Sequence, residues 1–218
     1  MTIAIRRAST HDAQAIARVR IDCWRTTYRG MIPDAYLDAM DVDASTALWN
    51  RVLSASPNTT SVFVADDDGV VVGFGAGNML EEPRYALDAE LSAVYVRRDR
   101  QRIGIGRRLV DAVASAQRDH GAHGLIVWVI AANKGARAFY EELRGALLVE
   151  QPFEWDGMPL VEAGYGFPDI DALIRACETC ASGDGPPRPA SSTPKGGGEA
   201  AMPRAWGGSN NPDGEMVH

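Results

Sequence analysis

The sequence predicts an α/β (α+β) domain in which helices cover a mostly antiparallel central sheet. Apolar residues recur at helical spacing in some stretches and form short runs in others, so both helices and strands are expected. Asp-Gly pairs at 68–69 and 156–157 separate neighbouring apolar runs, which indicates hairpins between antiparallel strands. The run 125–130, LIVWVI, is almost wholly apolar, as is typical of a strand that is covered on both faces.

The N-terminal part of the chain predicts one strand followed by helices. Residues 3–6 form the strand, and Ser9 and Thr10 then supply side-chain oxygens typical of a helix start. Gly30 and Pro33 end this first helix, and residues 36–53 predict a second helical stretch. One face of the first helix carries large apolar side chains at helical spacing, namely Ala17, Ile21, Trp24 and Tyr28.

The rest of the domain predicts strands and helices that alternate. Further strands are expected at 61–66, 70–80, 90–96 and 125–130 and on both sides of the turn 155–157. Helices are expected at 104–120, 133–143 and from 169 to about 180. The helix at 104–120 has an apolar stripe formed by Gly106, Leu109, Val113 and Ala116.

The composition changes abruptly after residue 180. Residues 181–218 are rich in Gly, Pro and Ser and have almost no aliphatic side chains. Such a segment cannot bury enough apolar surface to offset the entropy that ordering would cost. We therefore expect one domain at 1–180, which can bury a sizeable core, and a disordered, low-complexity tail at 181–218.

Charge and hydropathy narrow the class of protein. The formal net charge is −7 and the sequence pI is near 5.1, which argues against a nucleic-acid-binding protein and fits small-molecule partners better. No run of eighteen apolar residues and no signal-peptide pattern is present, so no membrane association and a cytoplasmic location are expected. Arginine greatly outnumbers lysine and alanine is abundant, which suggests a GC-rich bacterial genome.

The cysteines and histidines do not predict a metal site or a covalent nucleophile. Cys177 and Cys180 have CxxC spacing, but no second Cys or His pair completes a zinc site, so we interpret them as incidental thiols. Cys23 lies in the first helix and is interpreted as a core residue. The histidines are scattered, and none receives a catalytic or metal-binding role.

The stretch 97–108, RRDRQRIGIGRR, gathers arginine around two glycines in an otherwise acidic chain. It lacks the Lys-Ser or Lys-Thr of a P-loop, and Leu109 stands where a dinucleotide fingerprint needs a third glycine. Glycines between a strand and a helix let the backbone approach an anion, and the free N–H groups of the helix start point at it. The stretch therefore predicts a phosphate-binding turn.

Three motifs together resemble the GCN5-related N-acetyltransferase (GNAT) superfamily over residues 3–170. They are QRIGIG (101–106) after the strand ELSAVYV (90–96), NKGARAFY (133–140), and WRTTYRGMIP (24–33). The resemblance implies a splayed central sheet, with acetyl-CoA as co-substrate and direct transfer of its acetyl group to a primary amine of a small molecule or peptide. It also makes a homodimer plausible.

The resemblance assigns site residues by position. Tyr140 is implied as the general acid beside the CoA sulfur, and Glu90 as the general base for the amine. Trp24 and Tyr28 are expected to border the acceptor. The residues expected to contact acetyl-CoA are Val94 and Val96 through their main chains, together with Gln101, Arg102, Gly104, Ile105, Gly106, Arg107, Arg108, Asn133 and Ala136.

Structural interpretations of the same residues stay open at this point. Tyr140 is compatible with an ordinary core position, Asn133 with a helix cap, and Glu90 with a strand-edge surface position. Acidic residues between the third and fourth expected strands, together with Glu90, predict either a rim that attracts a cationic amine or a solvated loop; those between the strands are Glu81, Glu82 and Asp88, with Arg84 among them.

Two departures and two alternative functions also remain open. Arg97, Arg98 and Arg100 are compatible with a solvated surface. Arg144 replaces a usual glycine of the family and is strained if its backbone is left-handed.

A non-catalytic acyl-CoA-binding or sensing module, or a nucleotide-binding protein, would use the same glycine turn without needing Tyr140.

Overall fold

The computed structural model describes residues 3–55 and 60–179, and the predicted tail at 181–218 lies outside the described residues, as does Cys180. Within these ranges one sheet has the strand order β1-β2-β3-β4-β5-β7-β6. The strands are β1 (Ala4–Arg7), β2 (Thr60–Asp67), β3 (Val70–Arg84), β4 (Leu87–Val96), β5 (Leu125–Ile130), β6 (Ala146–Trp155) and β7 (Met158–Phe167). Only β4 and β5 pair in parallel, which confirms the mostly antiparallel α/β fold.

Helices cover both faces of the sheet. They are α1 (Ala13–Thr27), α2 (Asp34–Ala39), α3 (Val42–Ser54), α4 (Ile105–Asp119), α5 (Lys134–Glu142) and α6 (Ile170–Thr179). One core cluster packs α4, α5 and α6 against the sheet, and a second packs α1, α2 and α3 against the other face. The stripe of α4 is wider than expected, because Val110, Ala114 and Gln117 are buried as well as Leu109 and Val113.

The sheet opens between β4 and β5. The two strands pair over only three positions, Ala89 with Leu125, Glu90 with Ile126 and Leu91 with Val127. The pairing of β4 with β3 shifts by one residue at the same level, because Ala93 faces Ala76 whereas Leu91 faces Gly77, which leaves Ser92 as the extra residue of a bulge. A bulge increases the local twist, so the ends of β4 and β5 diverge. The splayed sheet is confirmed.

Most predicted turns are present, and one was missed. Asp68-Gly69 and Asp156-Gly157 have positive φ at both positions, as hairpin turns of the predicted type require. Tyr85 and Ala86 also have positive φ, 53° and 60°, and connect β3 directly to β4. The sequence predicted a loop there because neither residue favours this conformation.

The missed turn corrects the expected position of Glu90. Strand β4 begins at Leu87, so Glu90 lies inside a central strand rather than at a strand edge. Its side chain is 3% exposed, which excludes the surface interpretation.

Candidate active site

The open edge of β4 presents main-chain groups toward the gap between β4 and β5. Ala89 donates its N–H to the Gly124 carbonyl at the start of β5, whereas Arg97 donates its N–H to the Val72 carbonyl of β3. N–H and C=O groups alternate in direction along a strand, and the bulge shifts that alternation by one residue. The groups of Val94 and Val96 therefore point into the gap, as the sequence predicted.

One of these groups already has partners. The Val96 carbonyl accepts a hydrogen bond from Gln101 Nε2 at 2.9 Å and from Cys23 Sγ at 3.4 Å. Gln101 thus fastens the beginning of the glycine turn to the end of β4. The contacts of Gln101 and Val94 with acetyl-CoA stay predictions.

The glycine turn ends at an uncapped helix start. Gly104 precedes α4 with φ 86°, and no side chain caps the helix there. A Cβ built on Gly104 would have no atom within 4 Å, so the space in front of the helix is open. The first N–H groups of a helix have no partner within it, and the positive end of the helix dipole lies at the same place. Ile105 and Gly106, which form the first turn, are buried.

The arginines around the turn differ in what they bind. Arg107 forms an ion pair of 2.8 Å with Glu142, and Arg108 donates to the Ile3 carbonyl at 2.8 Å. Arg102 is exposed and has a left-handed backbone with φ 63°, and it forms no ion pair within 3–55 and 60–179. Of these three predicted phosphate ligands, Arg102 is therefore the one with a guanidinium that has no protein partner. Two upstream arginines bind neighbouring aspartates, Arg97 at Asp99 and Arg100 at Asp67 and Asp99.

Aromatic side chains of α1 lie over the gap. Trp24 is fully buried and donates its indole N–H to the Tyr95 hydroxyl at 2.9 Å. Burial raises the pKa of Tyr95 to about 12, although the charge of Arg20 opposes the shift. Burial also raises the pKa of Tyr28 well above its usual value, with Tyr95 and Tyr140 adding to the shift. These phenols therefore stay protonated near neutral pH, and each keeps an O–H group that can donate a hydrogen bond.

The pKa of Tyr28 depends on groups from both core clusters. Tyr95 of its own cluster and Tyr140 of the opposite one add to the rise that burial causes, and the side chain of Asn133 partly offsets it. Trp24 and Tyr28 have no exposed surface, so both are core residues in addition to lying beside the gap. Their contact with an acceptor stays a prediction.

Helix α5 supplies the remaining predicted residues. Asn133 caps the helix by accepting the N–H of Ala136 at 3.1 Å, which confirms its structural interpretation. Ala136 is fully buried and its N–H is taken up by this bond. Tyr140 is fully buried, with its ring 6.4 Å from that of Tyr165. At the end of α5, Arg144 has φ 68°, so its backbone is left-handed and the condition for strain at this position is met.

Two buried polar residues of the sheet had not been predicted. Ser92, the bulge residue, donates to Asn78 Oδ1 at 2.6 Å, which fixes the side chains of the bulge. Glu162 on β7 is a second buried carboxylate, 1% exposed, and accepts from Gln151 at 2.9 Å. Both features depend on which strands pair with each other, and a single sequence does not show that pairing.

The expected acidic rim does not form one surface. Asp88 accepts the N–H groups of His123 and Gly124 at 3.0 Å and thereby ties β4 to the start of β5. Glu90 is buried, whereas Glu81 and Glu82 are exposed on the β3–β4 hairpin. Two of the four acidic residues expected in that rim are therefore taken up elsewhere, since Asp88 accepts main-chain N–H groups and Glu90 is buried.

Comparisons with known proteins agree with this geometry. Residues 19–146 match the sequence profile of the Acetyltransferase (GNAT) family, a span of more than half the chain. The chain belongs to the GNAT family. It is 36% identical over 172 residues to YuaI of Bacillus subtilis, named an N-acetyltransferase, covering 78% of this chain and 96% of that protein. It is 31% identical over 172 residues to the N-acetyltransferase Rv2775 of Mycobacterium tuberculosis, covering 75% and 92%.

Solved structures show the same fold. YncA of Salmonella typhimurium, determined with acetyl-CoA, superposes with a TM-score of 0.58 at 21% identity, covering 78% of this chain and 95% of that one. PaiA N-acetyltransferase of Thermoplasma acidophilum, determined with coenzyme A, gives 0.57 at 20% identity, covering 75% and 98%. Membership of the GNAT family, together with the two relatives named N-acetyltransferases, identifies this protein as an acetyl-CoA-dependent acyltransferase. No helix of the described chain is long and apolar enough to cross a membrane.

Proposed function

We propose that this GNAT protein transfers the acetyl group of acetyl-CoA directly to a primary amine of a small molecule or peptide. The observation that carries the proposal is the convergence of three features at the opening between β4 and β5. They are the uncapped start of α4 behind Gly104, the outward-facing main chain of Val94, and the buried hydroxyls beside Tyr140.

The cofactor side of the reaction follows from the turn. The free N–H groups at the start of α4 and the guanidinium of Arg102 would bind the diphosphate of acetyl-CoA, because both offer donors and positive potential. The pantetheine arm would then extend along β4 and place the thioester near Val94. The N–H of Val94 would donate to the carbonyl oxygen as negative charge develops on it.

The chemical step requires one bond to form and one to break. The amine nitrogen attacks the thioester carbon, the C–S bond breaks, the nitrogen loses a proton and the thiolate gains one. Glu90 would accept the amine proton, directly or through a water molecule, and Tyr140 would protonate the thiolate. No covalent enzyme intermediate is needed.

The alternative, a non-catalytic acyl-CoA-binding module, is less well supported. Such a module needs the turn but neither the carboxylate of Glu90 nor the hydroxyl of Tyr140. Both groups are buried, at 3% and 0% exposure. Burying polar groups costs free energy, which an unused site would not retain without another reason. The cytoplasmic location and a homodimer stay predictions.

The test measures CoA release from acetyl-CoA with a panel of small amines and peptides. We expect Tyr140→Phe to lower turnover by about 100-fold or more while leaving acetyl-CoA affinity unchanged. Tyr165→Phe removes a neighbouring hydroxyl, held by Arg137 and Glu141, and serves as the control that keeps its turnover. Acetyl-CoA binding without turnover of any amine would contradict the proposal and favour the module.

A further inference from the structure

Arg20 occupies an unusual position on α1. It follows Ile16 by four residues and precedes Trp24 by four, so it lies on the same stripe of the helix as these two buried side chains. This stripe faces the sheet, as the contact of Cys23 with the Val96 carbonyl shows one turn further along. A charged residue at an inward position of an amphipathic helix calls for a partner.

No such partner is present among the residues of the described ranges. The Arg20 guanidinium lies over the Trp24 ring, 4.8 Å from its centroid, and forms no hydrogen bond or ion pair there. Every other partly buried arginine of the described ranges does form one; these are Arg25, Arg97, Arg100, Arg107 and Arg137. Stacking on an aromatic ring holds the guanidinium plane and leaves its N–H donors available.

The position of Arg20 relative to the gap indicates which ligand it meets. Its guanidinium lies over Trp24, which donates to the hydroxyl of Tyr95, and both of these side chains belong to the core cluster of α1. The turn that binds phosphates begins α4, which packs on the opposite face of the sheet. The face of α1 is therefore left for the second substrate, the acceptor.

We propose that Arg20 binds a carboxylate of the acceptor, so that the substrates are amino carboxylates such as amino acids. A guanidinium held flat against Trp24 matches the two oxygens of a carboxylate, which makes a bidentate pair. The proposal rests on the proposed acetyl transfer and names the substrate class of the same site. It also differs from the cationic-amine expectation that an acidic rim suggested.

The test compares matched amines with and without a carboxylate. The rate of CoA release is measured at saturating acetyl-CoA for the twenty common amino acids and for their amides. For the wild type we expect kcat/KM to be higher for the acids, by about 10- to 100-fold, since a charged hydrogen-bonded pair is lost in the amide. Arg20→Met should remove this preference by lowering the values for the acids only, and Arg20→Lys should keep part of it.

Two controls separate the possible failures. Arg18→Met changes an exposed arginine of the same helix and should keep the preference for acids. Binding of acetyl-CoA to wild type and Arg20→Met is measured by calorimetry in parallel. If wild type does not bind acetyl-CoA, the proposed transfer itself fails.

Other outcomes overturn the assignment of Arg20 alone. One such outcome is that wild type turns over the amides as fast as the acids or faster, and another is that it turns over amines but no amino acid. A third is that Arg20→Met lowers kcat/KM equally for acids and amides. Weaker acetyl-CoA binding by Arg20→Met would assign the guanidinium to a phosphate of the cofactor instead.

Discussion

Helix α4 and the helices α3, α5 and α6 begin in different ways. The latter three start at Asp or Asn residues whose side chains accept an N–H of the first turn, namely Asp41 from Ala44, Asn133 from Ala136 and Asp169 from Ala172. Helix α4 begins at Gly104, which has no side chain to accept a bond. The chain thus closes three helix starts with its own oxygens, whereas the starts of α1, α2 and α4 have no side-chain cap, and only that of α4 follows the glycine turn.

The difference leaves the first N–H groups of α4 without a side-chain acceptor. A capping side chain contributes about 1 kcal/mol to stability relative to alanine, whereas glycine at the same place gives up only a few tenths of a kcal/mol. The uncapped N–H groups and the helix dipole are then available to an anionic ligand. α5 follows β5 at the same opening of the sheet but is capped, so the two starts allow a matched test of the predicted phosphate site.

Closing the α4 start should have the largest effect. In Gly104→Asp a carboxylate would meet the N–H groups that the diphosphate uses and would repel that ligand. We expect acetyl-CoA affinity to fall by about 100-fold or more, measured by calorimetry. Gly104→Asn has a side chain of similar size without charge and should lose less. Equal losses in the two variants would show that size, and not charge, decides.

Replacing the arginines around the glycine turn should have an intermediate effect on acetyl-CoA affinity. Arg102→Ala removes a guanidinium with no protein partner and should weaken acetyl-CoA binding by about 10-fold, less so at high salt. Arg107→Ala instead breaks the ion pair with Glu142 and should change affinity less than about 3-fold. Titrations at two salt concentrations measure both. A larger loss for Arg107→Ala would reverse the assignment of phosphate ligands.

Removing a cap should have the smallest effect. Asn133→Ala and Asp41→Ala each delete a side-chain acceptor at a helix start, with bonds of 3.1 Å and 2.7 Å. Both should lower the free energy of unfolding by about 1 kcal/mol, measured by urea denaturation. Asp41→Ala should leave acetyl-CoA affinity unchanged. If neither variant lost stability, the side-chain caps of α3 and α5 would not distinguish these two helix starts from the start of α4.

Local signals made most of the fold predictable. The hairpin turns at 68–69 and 156–157, the helix at 133–143 and the buried strand at 125–130 each depend on neighbouring residues, and the structure has all of them. The turn at Tyr85 and Ala86 was missed because its conformation is imposed by the pairing of β3 with β4 rather than favoured by its residues.

The site was predictable in its backbone but not in its side-chain pairing. The glycine turn and the Asn133 cap depend on local spacing. The partners of Arg107 and Arg108 are 35 and 105 positions away in the chain, so only the fold reveals that two predicted phosphate ligands are engaged elsewhere. For Arg20 a signal existed, since its spacing from Trp24 places it on the apolar stripe.

The most direct test of the account is calorimetric titration of acetyl-CoA into wild type, Gly104→Val and Gly121→Val. Both glycines have positive φ, 86° and 97°, with no atom within 4 Å of a built Cβ, and they lie at opposite ends of α4. The backbone strain of the two substitutions is therefore alike. The account predicts that Gly121→Val binds acetyl-CoA like the wild type and that Gly104→Val does not bind it. Equal affinity in all three proteins would contradict the assignment of the α4 start as the phosphate site.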